Sequence, residues 1–259
     1  SEFREIWDNA FGEMEAYTDI FKVCLNTKDM DESVKENKIG VILGMEGIMQ
    51  LEGVQHLREL YNKGVRHAGL TWNEVNKYSA GLSSETEGLT KLGKEILSEM
   101  QKLGMIIDLA HSNPKSFDDI LDFTEGPIIV SHGNTKALCN HIRNYTNEQL
   151  LSLKKRNGVI GICGIGAFIA DKEENRTVAK MAEHIDYAVK RIGIDHVGIG
   201  LDICYYLREG ATSNKVKGLE TMSDAPNIFK ELVNLGYTES EIEKIKYGNF
   251  YRVIQEVLG

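Results

Sequence analysis

Short apolar runs alternate with amphipathic stretches along most of the chain. Each run is about 5–8 residues long and apolar at consecutive positions, which is typical of parallel strands that are buried on both faces. The pattern therefore predicts six strands, at residues 39–45, 65–72, 105–109, 127–131, 159–164 and 196–201.

The stretches between these runs carry apolar residues at helical spacing. Three of them, residues 53–63, 89–103 and 177–192, predict amphipathic helices. Glycines stand at the expected C-terminal ends of these helices, where a left-handed backbone conformation closes a helix. Strands and helices that alternate with short connections are typical of a parallel α/β fold.

Polar or reactive residues stand at the ends of five of the six runs. They are Glu46, Trp72-Asn73, His111, His132 and Asp202. Open α/β sheets and (β/α)8 barrels both gather function at the carboxyl ends of their strands, but an open sheet concentrates it at one switch point. Because these residues recur along the chain, the pattern favours a (β/α)8 TIM-type barrel. No Pro/Ser-rich linker interrupts the sequence, so we expect residues 1–259 to form one domain.

Composition narrows the classes of function. Of the 259 residues, 42% are hydrophobic and 27% are charged, which is the balance of a globular protein. The net charge of −9 disfavours a general nucleic-acid binder, which would carry a basic surface. No apolar run approaches the roughly 18 residues of a transmembrane helix, so no membrane partner is expected. The four scattered cysteines contain no CxxC pair and predict reduced thiols in a cytoplasmic protein.

Glu46, His111 and His132 are the candidates for metal binding. Imidazole is the commonest neutral metal ligand, and the end of a strand holds it rigidly. A glutamate at the end of an apolar strand needs a cation or a hydrogen-bond donor beside it. The three residues together predict part of a divalent-metal site. The alternative is that each histidine is a hydrogen-bonded residue of the core or the rim.

Three further residues have two interpretations each. Asp202 is either a helix or loop cap or a general acid and base beside a metal ion. Arg143 is either a surface arginine or a clamp for a substrate carboxylate. Asp108 either orients an imidazole or has a structural role. His56 and His184 fall on helical stretches, and we expect both to face solvent.

Several motifs in a fixed order resemble the membrane dipeptidase (renal dipeptidase) family, and most of all its bacterial, non-anchored members. They are Gly44-Met45-Glu46-Gly47, Leu70-Thr71-Trp72-Asn73, Asp108-Leu109-Ala110-His111, Ser131-His132-Gly133-Asn134, Arg143-Asn144 and Gly248-Asn249-Phe250-Tyr251-Arg252-Val253. The resemblance extends from about residue 35 to the C-terminus. Each motif alone is weak, but the ordered set is specific.

The resemblance implies a (β/α)8 barrel with two zinc ions at its mouth. Such an enzyme hydrolyses dipeptides with a metal-activated water and tolerates a D-residue at the carboxyl side. The resemblance also implies that Glu46 bridges both ions and that His111 and His132 bind the second ion. Arg143 would bind the terminal carboxylate of the dipeptide, and Asp202 would handle the attacking water and the leaving amine. Glu46 and Asp202 are thus the expected catalytic residues.

This sequence departs from the family pattern in three places. No His-x-Asp motif precedes Glu46, so we expect that an N-terminal segment with the first two strands and part of the first metal site is missing. Residues 3–23 would then form the helix that follows those strands. Trp72 stands where the animal members have a substrate-polarising histidine, which makes it a candidate substrate-binding residue. Cys204 replaces a second aspartate of the last-strand motif, and Tyr205-Tyr206 follow it.

These departures leave three hypotheses for the function. The first is a zinc-dependent dipeptidase. The second is another metal-dependent amide or lactone hydrolase on the same barrel, because Trp72 and Cys204 would reshape the pocket. The third is a catalytically inactive barrel that binds peptides, because the first metal site is incomplete. The expected partner is a small dipeptide, and a homodimer is kept as an oligomeric state to test.

Overall fold

The computed structural model describes residues 2–203 and 215–259. The chain forms two compact units, Ser1–Glu125 with Ile254–Gly259, and Gly126–Val253. The departures from the family pattern at Cys204, Tyr205 and Tyr206 lie outside the described residues.

Strands and helices alternate in the first unit. Its strands are β1 (Phe21–Val23), β2 (Ile39–Val41), β3 (Leu43–Glu46), β4 (Val65–Gly69) and β5 (Ile106–Asp108). Its helices are α1 (Glu2–Ala16), α2 (Thr27–Lys35), α3 (Val54–Asn62), α4 (Lys91–Leu103) and α5 (Pro114–Phe123). Strands β3, β4 and β5 pair in parallel and in chain order. Helices α3 and α4 lie in the connections between these strands, as parallel strands require.

Helix α4 illustrates how the sequence sets the elements of this unit. Thr90 caps its N-terminus, where its hydroxyl accepts a hydrogen bond from the Gly93 N–H. Gly104 ends the helix with a φ of +67°, as the sequence predicts. The apolar face of α4 is buried at Ile96 and Met100, and β5 is buried at all three of its positions. Each end of the helix is therefore fixed locally, and its position is fixed by burial.

The segment before Glu46 differs from the prediction in two ways. The single strand predicted at residues 39–45 is two strands, because β2 pairs with β1 whereas β3 pairs with β4. The helix expected over residues 3–23 ends at Ala16, and Phe21–Val23 pair with Ile39–Val41 instead. Both differences have one physical reason, which is that strand pairing between distant segments overrides a local pattern.

Strands and helices alternate in the second unit as well. Its strands are β6 (Ile129–Gly133), β7 (Val159–Ile162) and β8 (Val197–Ile199). Its helices are α6 (Asn147–Lys155), α7 (Gly166–Ile169), α8 (Val178–Ile192), α9 (Pro226–Asn234) and α10 (Glu239–Glu243). Helix α11 (Asn249–Leu258) begins in this unit, and its residues from Ile254 onward belong to the first unit. Short 3₁₀ turns cover Glu173–Asn175, Ile194–His196 and Met222–Asp224, and a π-helical turn covers Lys244–Gly248.

The second unit repeats the parallel arrangement. Strand β7 pairs with β6 on one side and with β8 on the other, and every position of β7 is buried. Helix α8 begins at the cap residue Thr177 and buries an apolar face that includes Met181, Ile185 and Ala188. The predicted parallel α/β class is therefore confirmed in both units. Among the described residues, no helix has the length and apolar character needed to cross a bilayer.

Candidate functional site

Glu46 and His111 lie together in the first unit. Glu46 is the last residue of β3, and His111 follows β5. The Nε2 atom of His111 lies 2.9 Å from Oε1 of Glu46. The imidazole is buried, with 6% of its side chain exposed, whereas 52% of the Glu46 side chain is exposed. A rigid, buried nitrogen therefore faces an accessible carboxylate.

Asn73 and Trp72 hold the imidazole of His111 from the other side. The Oδ1 atom of Asn73 lies 2.9 Å from Nδ1 of His111. The Trp72 ring centroid lies 5.7 Å from that of His111, with 32° between the ring planes. The backbone of His111 itself is left-handed, with a φ of +66°. Strained backbone of this kind persists where the surroundings hold it, and it is frequent at functional sites.

The Glu46–His111 pair fits a divalent metal ion. An amide oxygen only accepts hydrogen bonds, so the contact with Asn73 Oδ1 requires a proton on Nδ1, and in the neutral imidazole the lone pair is then on Nε2. That lone pair faces a carboxylate oxygen, and two acceptors 2.9 Å apart need a proton or a cation between them. Two ligand atoms that each lie about 2.1 Å from one metal ion are about 3.0–3.4 Å apart. Imidazole nitrogen and carboxylate oxygen are also the donor types that zinc binds.

His132 and Arg143 lie together in the second unit. Arg143 Nη2 donates to Nε2 of His132 at 2.9 Å, and the Ser131 hydroxyl lies 3.0 Å from Nδ1. Arg143 is only 7% exposed, and its Cζ lies 5.5 Å from the centroid of the Phe168 ring. Within the described part of the chain, the hydrogen bond of the Arg143 guanidinium goes to this imidazole and not to a carboxylate. This buried guanidinium is therefore not the surface arginine that the sequence left open.

Asp202 lies beyond β8 in the second unit and is exposed. Its φ of +51° is left-handed, a conformation that aspartate tolerates better than most residues. Trp72, the candidate substrate contact, is 52% exposed beside His111.

Two predictions about other residues need correction or refinement. Asp108 does contact an imidazole, but it is that of His67, whose Nε2 lies 3.0 Å from Asp108 Oδ2, and the sequence pattern does not predict this pair. His184 does not face solvent, because it is completely buried. Its Nε2 donates to the Ile169 carbonyl oxygen at 2.9 Å, and Thr135 N donates to its Nδ1 at 3.2 Å. Burial lowers the pKa of His184 to about 4.

Asn73 follows a predicted strand, but its residue type and position alone predict no role for it. The available signal was its position next to Trp72, in the run that precedes the His111 strand. Nothing in the sequence indicates which of several polar side chains reaches Nδ1 of His111, since 38 residues separate the pair.

The family model and the relatives that match this chain all carry the name dipeptidase. A family model for membrane dipeptidases (peptidase family M19) matches residues 8–258. The dipeptidase tcpJ of Claviceps purpurea is 32% identical over 248 residues, which cover 94% of this chain and 57% of the relative. An uncharacterized dipeptidase of Schizosaccharomyces pombe is 33% identical over 222 residues, which cover 84% of this chain and 53% of the relative. The chain spans about half the length of the curated relatives it matches.

Solved structures resemble the chain over nearly its whole length. The probable dipeptidase PvdM from Pseudomonas aeruginosa matches with a TM-score of 0.86 at 22% identity, covering 95% of this chain and 76% of that protein. A metallopeptidase from Rhodobacter sphaeroides, liganded with a phosphinate mimic of the dipeptide L-Ala-D-Ala, matches with a TM-score of 0.84 at 24% identity. That match covers 97% of this chain and 73% of the metallopeptidase. At these identities the likeness shows the fold, which is the predicted TIM-type α/β barrel class.

Proposed function

Because the chain belongs to the membrane dipeptidase family, peptidase family M19, we propose that it takes part in metal-dependent hydrolysis of dipeptides. The observation that carries the proposal is the contact between Glu46 and His111, in which two acceptor atoms lie 2.9 Å apart. This pair has the donor types and the access that a metal ion needs, and its 2.9 Å separation is slightly shorter than the roughly 3.0–3.4 Å between two ligands of one ion. The neighbouring Trp72 supplies an exposed ring that a substrate can contact.

We propose Glu46, His111 and His132 as metal ligands and zinc as the metal, with two ions in the complete family site. Support comes from the positions of these residues at the ends of β3, β5 and β6, within motifs that resemble those of the family. A bound divalent ion would supply Lewis acidity and lower the pKa of water. Glu46 contributes the negative charge that such an ion requires, and His111 contributes a neutral nitrogen on a rigid, buried ring.

Arg143 is the proposed binding group for the terminal carboxylate of the dipeptide. Its guanidinium is buried and lies against the Phe168 ring, so it is held in place and poorly solvated. Its described side-chain hydrogen bond goes to an imidazole, so a carboxylate would be a stronger partner. A planar guanidinium can bind both carboxylate oxygens at once. This proposal predicts fast hydrolysis of free dipeptides and slow hydrolysis of dipeptides whose carboxyl group is amidated. Equal rates on both would refute the role of Arg143.

Asp202 is the proposed acid and base, and Trp72 the proposed contact for the substrate side chain. Asp202 is exposed, so it can exchange protons with solvent, and its left-handed backbone is consistent with a functional position. We also propose that a D-residue is tolerated at the carboxyl side of the substrate. Support comes from the L-Ala-D-Ala mimic bound by the related metallopeptidase. Comparing the hydrolysis of L-Ala-D-Ala and L-Ala-L-Ala tests this point, and inactivity on the former would contradict it.

The substitution Glu46→Gln tests the metal-dependent function. It keeps the size of the side chain and removes its charge, so we expect bound zinc and dipeptide hydrolysis both to fall to background. Elemental analysis measures the metal content, and ninhydrin detection of released amino acids measures turnover. Glu52→Gln is the matched control, because Glu52 is an exposed glutamate of the same unit, and it should leave both quantities unchanged. Normal turnover in the Glu46→Gln variant would refute the proposal.

A second candidate function is hydrolysis of another amide or a lactone by the same residues. The observation that favours it is Trp72, whose large exposed ring stands beside His111. A panel of dipeptides, N-acyl amino acids and lactones separates the two candidates. A clear preference for lactones would replace the dipeptidase proposal. Metal and peptide binding without turnover of any substrate would point to a peptide-binding barrel instead.

We further propose that the protein is cytoplasmic. Cys24, Cys139 and Cys163 are buried free thiols in the described part of the chain. Burial raises the pKa of Cys24 and Cys139, so both stay protonated and unreactive. Such thiols suit a reducing compartment. Cell fractionation tests the location, and sedimentation velocity distinguishes a monomer from the homodimer.

A further inference from the structure

We propose that Asn73 is a positioning residue that fixes the proton of His111 on Nδ1, so that Nε2 keeps its lone pair for a metal ion. The inference rests on the proposed function, since it assumes that His111 is a ligand. It deepens that function by naming a residue that acts through the ligand His111. The contact that motivates it is the 2.9 Å hydrogen bond between Asn73 Oδ1 and His111 Nδ1.

Glu46 by itself would favour the wrong tautomer of His111. Its carboxylate oxygen lies 2.9 Å from Nε2, so a proton on Nε2 would form a charge-assisted hydrogen bond to it. In that tautomer no lone pair on Nε2 is available to a metal. Asn73 opposes the Nε2–H tautomer. Its amide oxygen can accept a hydrogen bond from His111 only when Nδ1 carries the proton. In the neutral imidazole the two contacts therefore compete for one proton, and Asn73 favours the tautomer that can bind a metal ion.

The backbone around Asn73 is tightly packed, which holds its amide in place. A side chain at Gly81 would overlap the carbonyl oxygen of Trp72 and would come within 2.7 Å of the Asn73 carbonyl carbon. The N–H of Ser83 donates to the Asn73 carbonyl oxygen at 2.8 Å. These contacts leave the Asn73 backbone little freedom to move away from His111.

A glycine next to Glu46 supports the same segment from the other side. Gly47 has a φ of +83°, and a Cβ on it would lie 2.8 Å from the backbone nitrogen of Trp72. The turn that carries Glu46 therefore packs directly on the segment that carries Asn73. The Trp72 ring in turn lies 5.7 Å from the His111 ring, centroid to centroid. One local structure thus places the carboxylate and the amide on opposite nitrogens of His111, as a pre-organised ligand requires.

Two substitutions at position 73 separate the hydrogen bond from the shape of the side chain. Asn73→Leu keeps the approximate size and removes the acceptor, whereas Asn73→Asp keeps an acceptor at the same place. Asn62→Leu is the matched control, because Asn62 is an exposed residue of the same unit. Circular dichroism verifies that each variant is folded. Long-range ¹H–¹⁵N correlation spectra of metal-free, ¹⁵N-labelled protein report the tautomer, and a His111→Gln variant assigns the signals.

The expected result is an Nδ1–H tautomer of His111 in the wild type, in Asn62→Leu and in Asn73→Asp. Asn73→Leu should shift the proton to Nε2 and weaken zinc binding by about 10–100-fold, measured by competition with a chromophoric chelator. The Asp variant should recover most of that affinity. An unchanged tautomer and zinc affinity in a folded Asn73→Leu variant would overturn the inference. If the wild type itself binds no zinc, the proposed function fails, while the tautomer spectra still decide the role of Asn73.

Discussion

Lowering the pH should destabilise the second unit through one residue, His184. The side chain is completely buried on α8, where Nε2 donates to the Ile169 carbonyl oxygen and Nδ1 accepts from Thr135 N. Both nitrogens are thus satisfied by the neutral imidazole. A proton added to Nδ1 would break the hydrogen bond from Thr135 N–H, leave only the Thr135 hydroxyl, 2.9 Å away, as an acceptor, and place a positive charge on a completely buried ring. Burial therefore lowers the pKa of His184 to about 4.

The size of the effect follows from the difference between the pKa of His184 in the folded chain and its pKa in the unfolded chain. An unfolded histidine has a pKa of about 6.5, so between pH 6.5 and pH 4 the unfolded chain binds a proton that the folded chain refuses. Stability is complete above that window and falls as the pH falls through it. The contribution of this residue amounts to about 2 kcal/mol lost between pH 7 and pH 5, and about 3 kcal/mol once the pH is below 4.

Two measurements test this prediction. An NMR titration of the His184 imidazole should give a pKa well below the usual value. Urea unfolding at pH 7 and pH 5 should show that the wild type loses about 2 kcal/mol more than His184→Gln, which cannot take up the proton. The comparison uses the change with pH in each protein, so a lower starting stability of the variant does not affect it. A titration near pH 6.5, or equal losses in both proteins, would refute the reasoning.

Three substitutions elsewhere have expected effects on stability. Gly47→Ala should lower the unfolding free energy by about 1–3 kcal/mol, because alanine is strained at a φ of +83° and its Cβ would lie 2.8 Å from Trp72 N. The midpoint of thermal unfolding and the rate of dipeptide turnover should both fall, and wild-type values of both would contradict this. Tyr78→Phe removes a buried hydroxyl that donates to the Leu51 carbonyl oxygen, and should lower the unfolding free energy in urea by about 1–3 kcal/mol. Thr146→Ala removes the capping box of α6 and should cost about 1 kcal/mol in the same assay, whereas an unchanged midpoint would show that the cap is not needed.

The local pattern was sufficient for most elements of the fold. Runs of apolar residues predict β4, β5 and β7 because a strand buried on both faces must be apolar at consecutive positions. Helix α4 was predictable at both ends, since Thr90 and Gly104 act within one turn of the helix. The break between β2 and β3 was not predictable, because it depends on which distant strand each half pairs with.

The sequence by itself determined the parallel α/β class and the positions of Glu46 and His111 at strand ends. These follow from short-range periodicity and from the rule that parallel strands end on one side. Only the tertiary structure decided that Asn73 meets His111, that Arg143 meets His132 and that His184 is buried. Each of these depends on which element packs against which face. A helical histidine looks the same in the sequence whether its face meets water or another element, and only packing distinguishes the two.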